Sequence, residues 1–511
     1  MPQNRVSRLA RLGLLAVFVS VPAILWGQST SSAPQASTSQ PEPPPEAVAA
    51  FRRVLATRYV TQVSAESLAR ARTMDDLLAL VRTDPFTDVY SPTEWQHLTV
   101  SLGEAFGGIG AILGSIRDTV VLGDLLPDGP AAASGLHSRD RLLAIDDSMV
   151  LGWTVEHVVS RIRGRPGTPV TLRVLRGSDT VPPIHLVRAS VQAPSVPAAS
   201  LNTQGVGVVT ISQFGPGLTA DLASTIDGML AHGLKRLVLD LRGNPGGLLD
   251  EAIGVANLFL PQGSLLVETR YRGEAPDRHL AEEAPRYPTL PLAVLVGPES
   301  ASASEILAGA LQDARRAVIV GRQTYGKGLV QTTAPLGGGW MAKFTVGRWY
   351  TPAGRLIDRG VHASADSTKP FDPEAPHSGG IEPEVVLPDS VQDAARQALK
   401  LLDTFGSSVY LALDDEVGHF LATHPNLTAS SDPFHGSGDR ILVASGIDSL
   451  DANSRAIIVP WLDAEVTRRA IEARFGYGAA LIWQDGRDPQ VAAAVALLTD
   501  RGQGSYTTSQ R

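Results

Sequence analysis

Residues 292–314 read LAVLVGPESASASEILAGALQDA. Leu292 to Val296 is an unbroken apolar run, the pattern of a strand buried on both faces. Gly297 and Pro298 break it, a small-residue cluster follows, and Ala303 to Ala314 has helical periodicity. The same alternation extends outward on both sides. Val206 to Ile211 is a predicted strand and Leu218 to Leu230 a helix. Leu237 to Leu241 is a second apolar strand, followed by a helix over Asp250 to Phe259. Beyond the quoted stretch, Val318 to Val320 is another buried strand. Apolar strands alternating with helices predict an α/β core over residues 201–390.

At 511 residues the chain is too long for one core and suggests two to four domains. Apolar residues make up 43% and charged residues 19%, enough apolar material for several cores. The net charge of −8, without a basic stripe, argues against nucleic acid as a partner. The absence of cysteine excludes disulfides, thiolate metal sites and a cysteine nucleophile. Arg5, Arg8 and Arg11 precede the apolar run Leu12 to Trp26, too short for an ordinary spanning helix and suited to an export signal over residues 1–27. No clean small-x-small cleavage site stands near Trp26-Gly27-Gln28, which leaves an uncleaved membrane anchor as the alternative.

Residues 28–45 are a Ser-, Pro- and Gln-rich disordered tether. Residues 46–104 read as helical, with Val48, Phe51, Val54 and Leu55 on one face and Leu77, Leu78 and Val81 on another. Asp84-Pro85 is the expected stop of the second helix. Residues 105–190 form a β-rich module opening with Phe106-Gly107-Gly108-Ile109-Gly110 and holding one helix, with Val155, Val158, Val159 and Ile162 on one face. Gln192 to Ala199 is the expected linker, and residues 391–511 read as a helical extension with no assignable motif.

Three pieces carry candidate chemistry. Ser300-Ala301-Ser302-Ala303-Ser304-Glu305 sits at a strand-to-helix turn, where free helix N–H groups favour a developing oxyanion and a serine can act as nucleophile. Ser302 and Glu305 also match a capping box, which needs no catalysis. Thr324-Tyr325-Gly326-Lys327-Gly328 places a lysine between glycines. Burial would depress its pKa and make it a base; a solvated or phosphate-binding lysine is the alternative. Gln331, four residues on, could orient that lysine or lie on the surface. Asp240-Leu241-Arg242-Gly243-Asn244-Pro245-Gly246-Gly247 ends a buried strand in a Gly-rich turn, either a ligand-binding turn or an ordinary one. The eleven histidines are scattered in polar contexts and show no metal spacing.

Together these motifs resemble the carboxy-terminal processing, or tail-specific, peptidases over roughly residues 50–390. Asp84-Pro85-Phe86-Thr87, Ser91-Pro92, Glu94, Leu311-Gln312-Asp313, Tyr350-Thr351-Pro352-Ala353-Gly354-Arg355 and Gly380-Ile381-Glu382-Pro383-Glu384 add to the match. The resemblance implies a multidomain α/β protein: a helical front, a PDZ domain at 105–190, a crotonase-like β/α spiral protease core at 201–390 and a helical extension. It implies a serine endopeptidase without cofactor or metal. Ser302 would be the nucleophile, Lys327 the base and Gln331 its orienting partner. Ala303 and a glycine of the Gly246-Gly247 pair would supply the oxyanion donors, and Asp313 a supporting role. Phe106, Gly107, Gly108, Ile109 and Gly110 would cradle the free C-terminus of a protein or peptide substrate. Ala111 to Leu113 would be the edge strand that the peptide joins, and the Val155–Ile162 helix the opposite wall. The implied location is the cell envelope, periplasmic or membrane-anchored; membrane anchoring and a homo-oligomer stay open. Ser138-Arg139-Asp140, Tyr325 and Glu384 depart from the usual pattern without removing a catalytic group. The competing reading is an inactive PDZ scaffold, against which stand the intact Ser302, Lys327 and glycine turn. A nucleotide-binding enzyme lacks a phosphate motif.

Overall fold

The computed structural model describes residues 42–501, except 96–105, 117–118, 127–128, 138–139, 154, 177–178, 192–193, 360–378, 389, 403–407 and 448–449. The predicted export segment at 1–27 and nearly all of the tether lie outside the described residues.

The N-terminal region holds α1 (Pro45–Thr57), α2 (Ala65–Arg70) and α3 (Met74–Leu80). Pro45 opens α1, where its missing N–H costs nothing. Phe51, Leu55 and Leu77 are fully buried. Two expectations need correction. Helix α3 ends at Leu80, before Asp84. The buried Asp84 carboxylate instead organises a turn, accepting from Phe86 N–H (3.0 Å), the Thr87 hydroxyl (2.6 Å) and the Tyr59 hydroxyl (3.2 Å). The region is also not wholly helical, because Asp88–Tyr90 forms strand β1.

The β-rich module contains β2 (Phe106–Gly108), β3 (Ala111–Ile116), β4 (Thr119–Leu125), α4 (Pro130–Ala133), β5 (Arg141–Ile145), β6 (Ser148–Met149), α5 (Val155–Ile162), β7 (Pro169–Arg176), β8 (Asp179–Thr180), β9 (Ile184–Val187) and β10 (Ala189–Val191). Its antiparallel sheet runs β3-β4-β5-β7-β8, with β6 on β5 and β9 on β7. Strands β2 and β10 pair where the chain enters and leaves the module. The expected linker is part strand: Ala198 and Ala199 belong to β11 (Ala198–Leu201), and Ser195 is buried with its carbonyl accepting from Ser212 N–H.

The core continues with β12 (Val206–Thr210), α6 (Leu218–Ala231), β13 (Arg236–Asp240), α7 (Leu249–Asn257), β14 (Leu265–Tyr271), β15 (Asp277–Leu280), β16 (Leu292–Val296), α8 (Ala303–Asp313), β17 (Val318–Gly321), β18 (Leu329–Gly337), β19 (Trp340–Tyr350) and β20 (Val385–Val386). Its main sheet runs β11-β12-β13-β16-β17-β20, parallel from β12 onward. Side chains alternate between its faces. Val209, Leu237, Leu239, Val294 and Val296 pack under α6, α7 and α8. The others, among them Val208, Val238, Ala293 and Leu295, meet Val491, Ala494 and Leu498. A second sheet, β1-β19-β14-β15 with β18 on β19, carries the N-terminal helices on Ala334, Leu336, Ala342 and Phe344.

The extension comprises α9 (Ser390–Leu402), α10 (Ser408–Thr423), α11 (Ser437–Ala444), α12 (Ala452–Phe475), α13 (Tyr477–Asp485) and α14 (Pro489–Arg501). Helices α9 to α13 share a separate apolar cluster, with Leu413, Leu462 and Val466 buried. Helix α14 leaves that cluster and covers the second face of the parallel sheet. Burying side chains such as Val491 and Leu498 there contributes about 1.5–3 kcal/mol each.

Candidate active site

Ser302 stands at the junction of β16 and α8 with φ +55°, in a region that side-chain-bearing residues seldom occupy. Such a local cost is characteristic of a serine held on a sharp strand-to-helix turn. Its neighbours are spent on structure. The fully buried Ser300 hydroxyl donates to Leu241 O (2.8 Å) and accepts from Gly297 N–H (2.9 Å). The Ser304 hydroxyl donates to Asn244 O (2.9 Å). Of the three serines only Ser302 is partly exposed.

Glu305 does more than cap a helix. Its fully buried carboxylate accepts from Ser302 N–H (2.8 Å), the Thr324 hydroxyl (2.6 Å), Gly326 N–H (2.6 Å) and Lys327 N–H (2.8 Å). One side chain therefore ties the serine turn to the lysine loop. Desolvation raises its pKa to about 6, and the four donors oppose that rise. The spacing Ser302–Glu305 predicted the first of these bonds; the other three come from a loop some twenty residues away and were not legible locally.

Lys327 is held at a pKa of about 8, lowered first by desolvation and then by the charge of Lys343, with Glu305 pulling it upward. Its Nζ lies 5.0 Å from the centroid of the Phe86 ring. Glu305 joins the backbones of Ser302 and Lys327; among the described residues no direct hydrogen bond links the Ser302 hydroxyl to the Lys327 amine, and such bonds often tighten only when substrate binds. Gln331, on β18, donates from Nε2 to Phe86 O (3.1 Å). It fixes the backbone of the residue whose ring faces Lys327; the direct hold expected on the lysine is not formed. Lys343 enters from β19, where it pairs in register with Asp88 of β1. Sequence reading did not place Phe86 or Lys343 at the site, because Phe86 arrives from the turn before β1 and Lys343 from β19.

The two glycines of the third motif are not equivalent. Gly246 N–H donates to Asn244 Oδ1 (2.9 Å) and Gly246 O accepts from Phe214 N–H (2.9 Å). Among the described residues neither Gly247 N–H nor Ala303 N–H has an acceptor within the protein. Asn244 is wholly buried: Nδ2 donates to Ile211 O (2.8 Å), while its carbonyl accepts from Ala301 N–H (3.0 Å) and Ser304 Oγ. A Cβ at Gly246 would stand 2.9 Å from both Ala303 N and Ser302 Cβ. The turn thus presses directly on the serine, with Ala303 and Gly247 as the open donor pair.

Asp313 accepts from Ala353 N–H (2.7 Å) and Arg355 (2.5 Å), anchoring the Tyr350–Arg355 segment, and Glu384 caps Ile319 N–H (2.7 Å). In the β-rich module, residues 106–108 are ladder strand, and the Gly107 carbonyl accepts from Gly164 N–H (2.9 Å). Ile109 is buried in the module's core, so only the Ile109–Gly110 backbone remains for a carboxylate. Strand β3 is the sheet edge beside α5, as expected. Val158 and Ile162 of α5 are core residues, the partly buried Val155 packs against that core, and Val159 is partly buried.

Residues 205–365, which contain Ser302, Glu305, Lys327, Gln331, Lys343 and the Gly246-Gly247 turn, match the model of peptidase family S41, and residues 123–176 match that of a PDZ domain. A probable CtpA-like serine protease of Staphylococcus epidermidis (strain ATCC 12228 / FDA PCI 1200) is 32% identical over 289 residues, covering 56% of this chain and 58% of its own length. One from Staphylococcus aureus (strain bovine RF122 / ET3-1) is 30% identical over 336 residues, covering 66% of this chain and 63% of its own. The matches thus span less than two thirds of these relatives. Among solved structures, the photosystem II D1 C-terminal processing protease aligns at 28% identity over 67% of this chain and 92% of that one, with a TM-score of 0.42. Residues 205–365 thus carry a peptidase family S41 match with a PDZ match ahead of it, and the chain is similar to CtpA-like serine proteases.

Proposed function

We propose that the protein is a serine endopeptidase of the cell envelope that acts on exported polypeptides and takes them by their C-terminal tails. The observation that carries the reading is the Glu305 carboxylate, which binds the backbone of Ser302 and of Lys327 at once. Neutral Lys327 removes the Ser302 proton as Oγ attacks the scissile carbonyl. The oxyanion is received by the N–H groups of Ala303 and Gly247. The Lys327 ammonium then gives its proton to the departing amine, leaving an acyl-serine. Water attacks that ester, losing a proton to Lys327; the acyl–Oγ bond then breaks as Lys327 returns that proton to Oγ, which regenerates Ser302 and neutral lysine. Gln331 holds the Phe86 segment against the lysine. The PDZ groove between β3 and α5 adds the substrate tail as a strand, and the apolar run behind Arg5, Arg8 and Arg11 directs export. Digestion of an unfolded polypeptide, read by mass spectrometry, tests the mechanism. Wild type should cleave, and Ser302→Ala and Lys327→Ala should each abolish cleavage, with no further loss in the double variant. Cleavage near the wild-type rate by either single variant would sink it.

A further inference from the structure

We infer that the C-terminal extension is a working part of the peptidase site: Asp488 and Gln490, at the start of α14, are positioning residues that hold the oxyanion turn through Arg242. The inference rests on the peptidase reading above.

Arg242 stands between the end of β13 and Gly243, where the turn begins. Its side chain is 8% exposed. The guanidinium is gripped from both sides. Nη2 and Nε donate to Asp240 (2.6 and 3.0 Å), while Nη1 donates to Asp488 Oδ2 (2.6 Å) and Gln490 Oε1 (2.9 Å). The second pair of partners lies 246 and 248 residues away in sequence. Both are themselves fixed. Asp488 Oδ1 caps α14 by accepting from Gln490 N–H (2.7 Å), and Gln490 Nε2 donates to Leu387 O (3.1 Å). Two residues past Arg242 comes Asn244, which touches the serine turn at Ala301 and Ser304 and orders Gly246. A shift of Arg242 therefore reaches the Gly247 donor through a short covalent path.

Docking of α14 does not need this cluster, because Val491, Ala494 and Leu498 already bury its apolar face. A buried ion pair is weak evidence for stability, and apolar residues of similar size often serve as well. What the planar guanidinium adds is a fixed orientation, since its donors match a carboxylate only in set directions. A misplacement of about 1 Å in a donor can cost on the order of 10²-fold in rate.

The test uses the full chain and steady-state hydrolysis of a peptide substrate. Asp488→Ser keeps a good helix cap but removes the carboxylate from Arg242. It should lower kcat by roughly 10- to 100-fold, with KM within about twofold and the pH midpoint of activity unmoved. Gln490→Ala should show a smaller loss of the same kind. Combining Asp488→Ser with Arg242→Gln should be no worse than the poorer single variant, because the residues act as one unit. Melting temperatures and the titre of sites labelled by a fluorophosphonate correct for unfolded enzyme. Wild-type kcat in Asp488→Ser, or a loss accounted for wholly by fewer labelled sites, overturns the inference while the peptidase reading stands. A wild-type chain that cleaves nothing overturns both.

Discussion

The molecule carries two glycine-rich segments, the turn Gly243-Asn244-Pro245-Gly246-Gly247 in the peptidase core and Phe106-Gly107-Gly108-Ile109-Gly110 at the entry to the β-rich module. They use glycine for different ends. At Gly246 a Cβ would strike Ala301 O at 2.7 Å, and at Gly247 it would strike Phe214 O at 2.4 Å. Both partners lie on other segments, and one borders the nucleophile. At Gly107 the obstacle is Gly164 O at 2.1 Å, and at Gly110 it is Gly129 Cα at 2.7 Å. Those partners are the module's own backbone. The core turn is glycine-rich so that two distant segments can share one site; the module's entry segment is glycine-rich so that its own module can close.

That difference is broken most sharply by matched alanine substitutions. Gly247→Ala should lower kcat on any peptide by about 10²–10³-fold, the cost of displacing one oxyanion donor. Gly110→Ala, at φ +73°, should strain the PDZ domain. It should raise KM for long substrates and leave kcat on short peptides within about threefold. Equal losses on short peptides in both variants would erase the distinction. The next effect in size is tail recognition: substrates ending in a free apolar residue should be cleaved several-fold faster than amidated copies. The gain should come from KM and vanish in Gly110→Ala, as strand addition and carboxylate capture require. Identical rates for free and amidated tails would reject capture by the Ile109–Gly110 backbone.

Legibility followed the same division. The strand-to-helix units of the parallel sheet read directly from apolar runs, because both faces of that sheet are buried. Ser302, Lys327 and the glycine turn stood out as short local patterns. What stayed hidden was contributed across long separations. Strand β18 is mostly polar or exposed over Gln331 to Thr333, and β19 largely alternates buried and partly buried positions and carries Lys343 and Arg348, so no apolar run marks either. Helix α14 reads as one more amphipathic helix; nothing local says that its apolar face meets Val238 and Leu295. Asp488 and Gln490 are ordinary polar residues until Arg242 is placed between them.

A smaller effect tests how the second sheet tunes the core. Base catalysis needs neutral Lys327, so activity should rise with pH, reach half its plateau near 8 and fall away below it. The positive charge of Lys343 is one cause of that low value. Lys343→Met removes it, so the Lys327 pKa and the activity midpoint should both move upward. Hydrolysis at pH 7 should drop a few-fold, while the plateau above pH 9.5 stays close to wild type. A lowered plateau with an unmoved midpoint would assign Lys343 a purely structural place.

The smallest expected effect lies behind the core turn, where α13 brings Asp485 up to Asp240 and Asp488. Desolvation first, then the charge of Asp240, raises its pKa to about 7, while Arg242 and the Thr210 hydroxyl pull it down. The sign of the linkage follows. In the unfolded chain the group titrates near 3.8, so between that value and about 7 the folded state holds a proton that the unfolded state has released. Its contribution to stability is complete below pH 4 and is lost as pH rises through 7. Asp485→Asn keeps the shape and removes the ionisation, so its melting temperature should exceed that of wild type by more at pH 8 than at pH 5. A gain of about 1 kcal/mol would appear as roughly 2–4 °C. Because Arg242 is already paired by Asp240 and Asp488, the substitution should leave kcat unchanged at pH 8. A melting difference that is the same at both pH values would mean that Asp485 does not titrate in this range. A loss of kcat would mean that the third carboxylate also takes part in holding the turn.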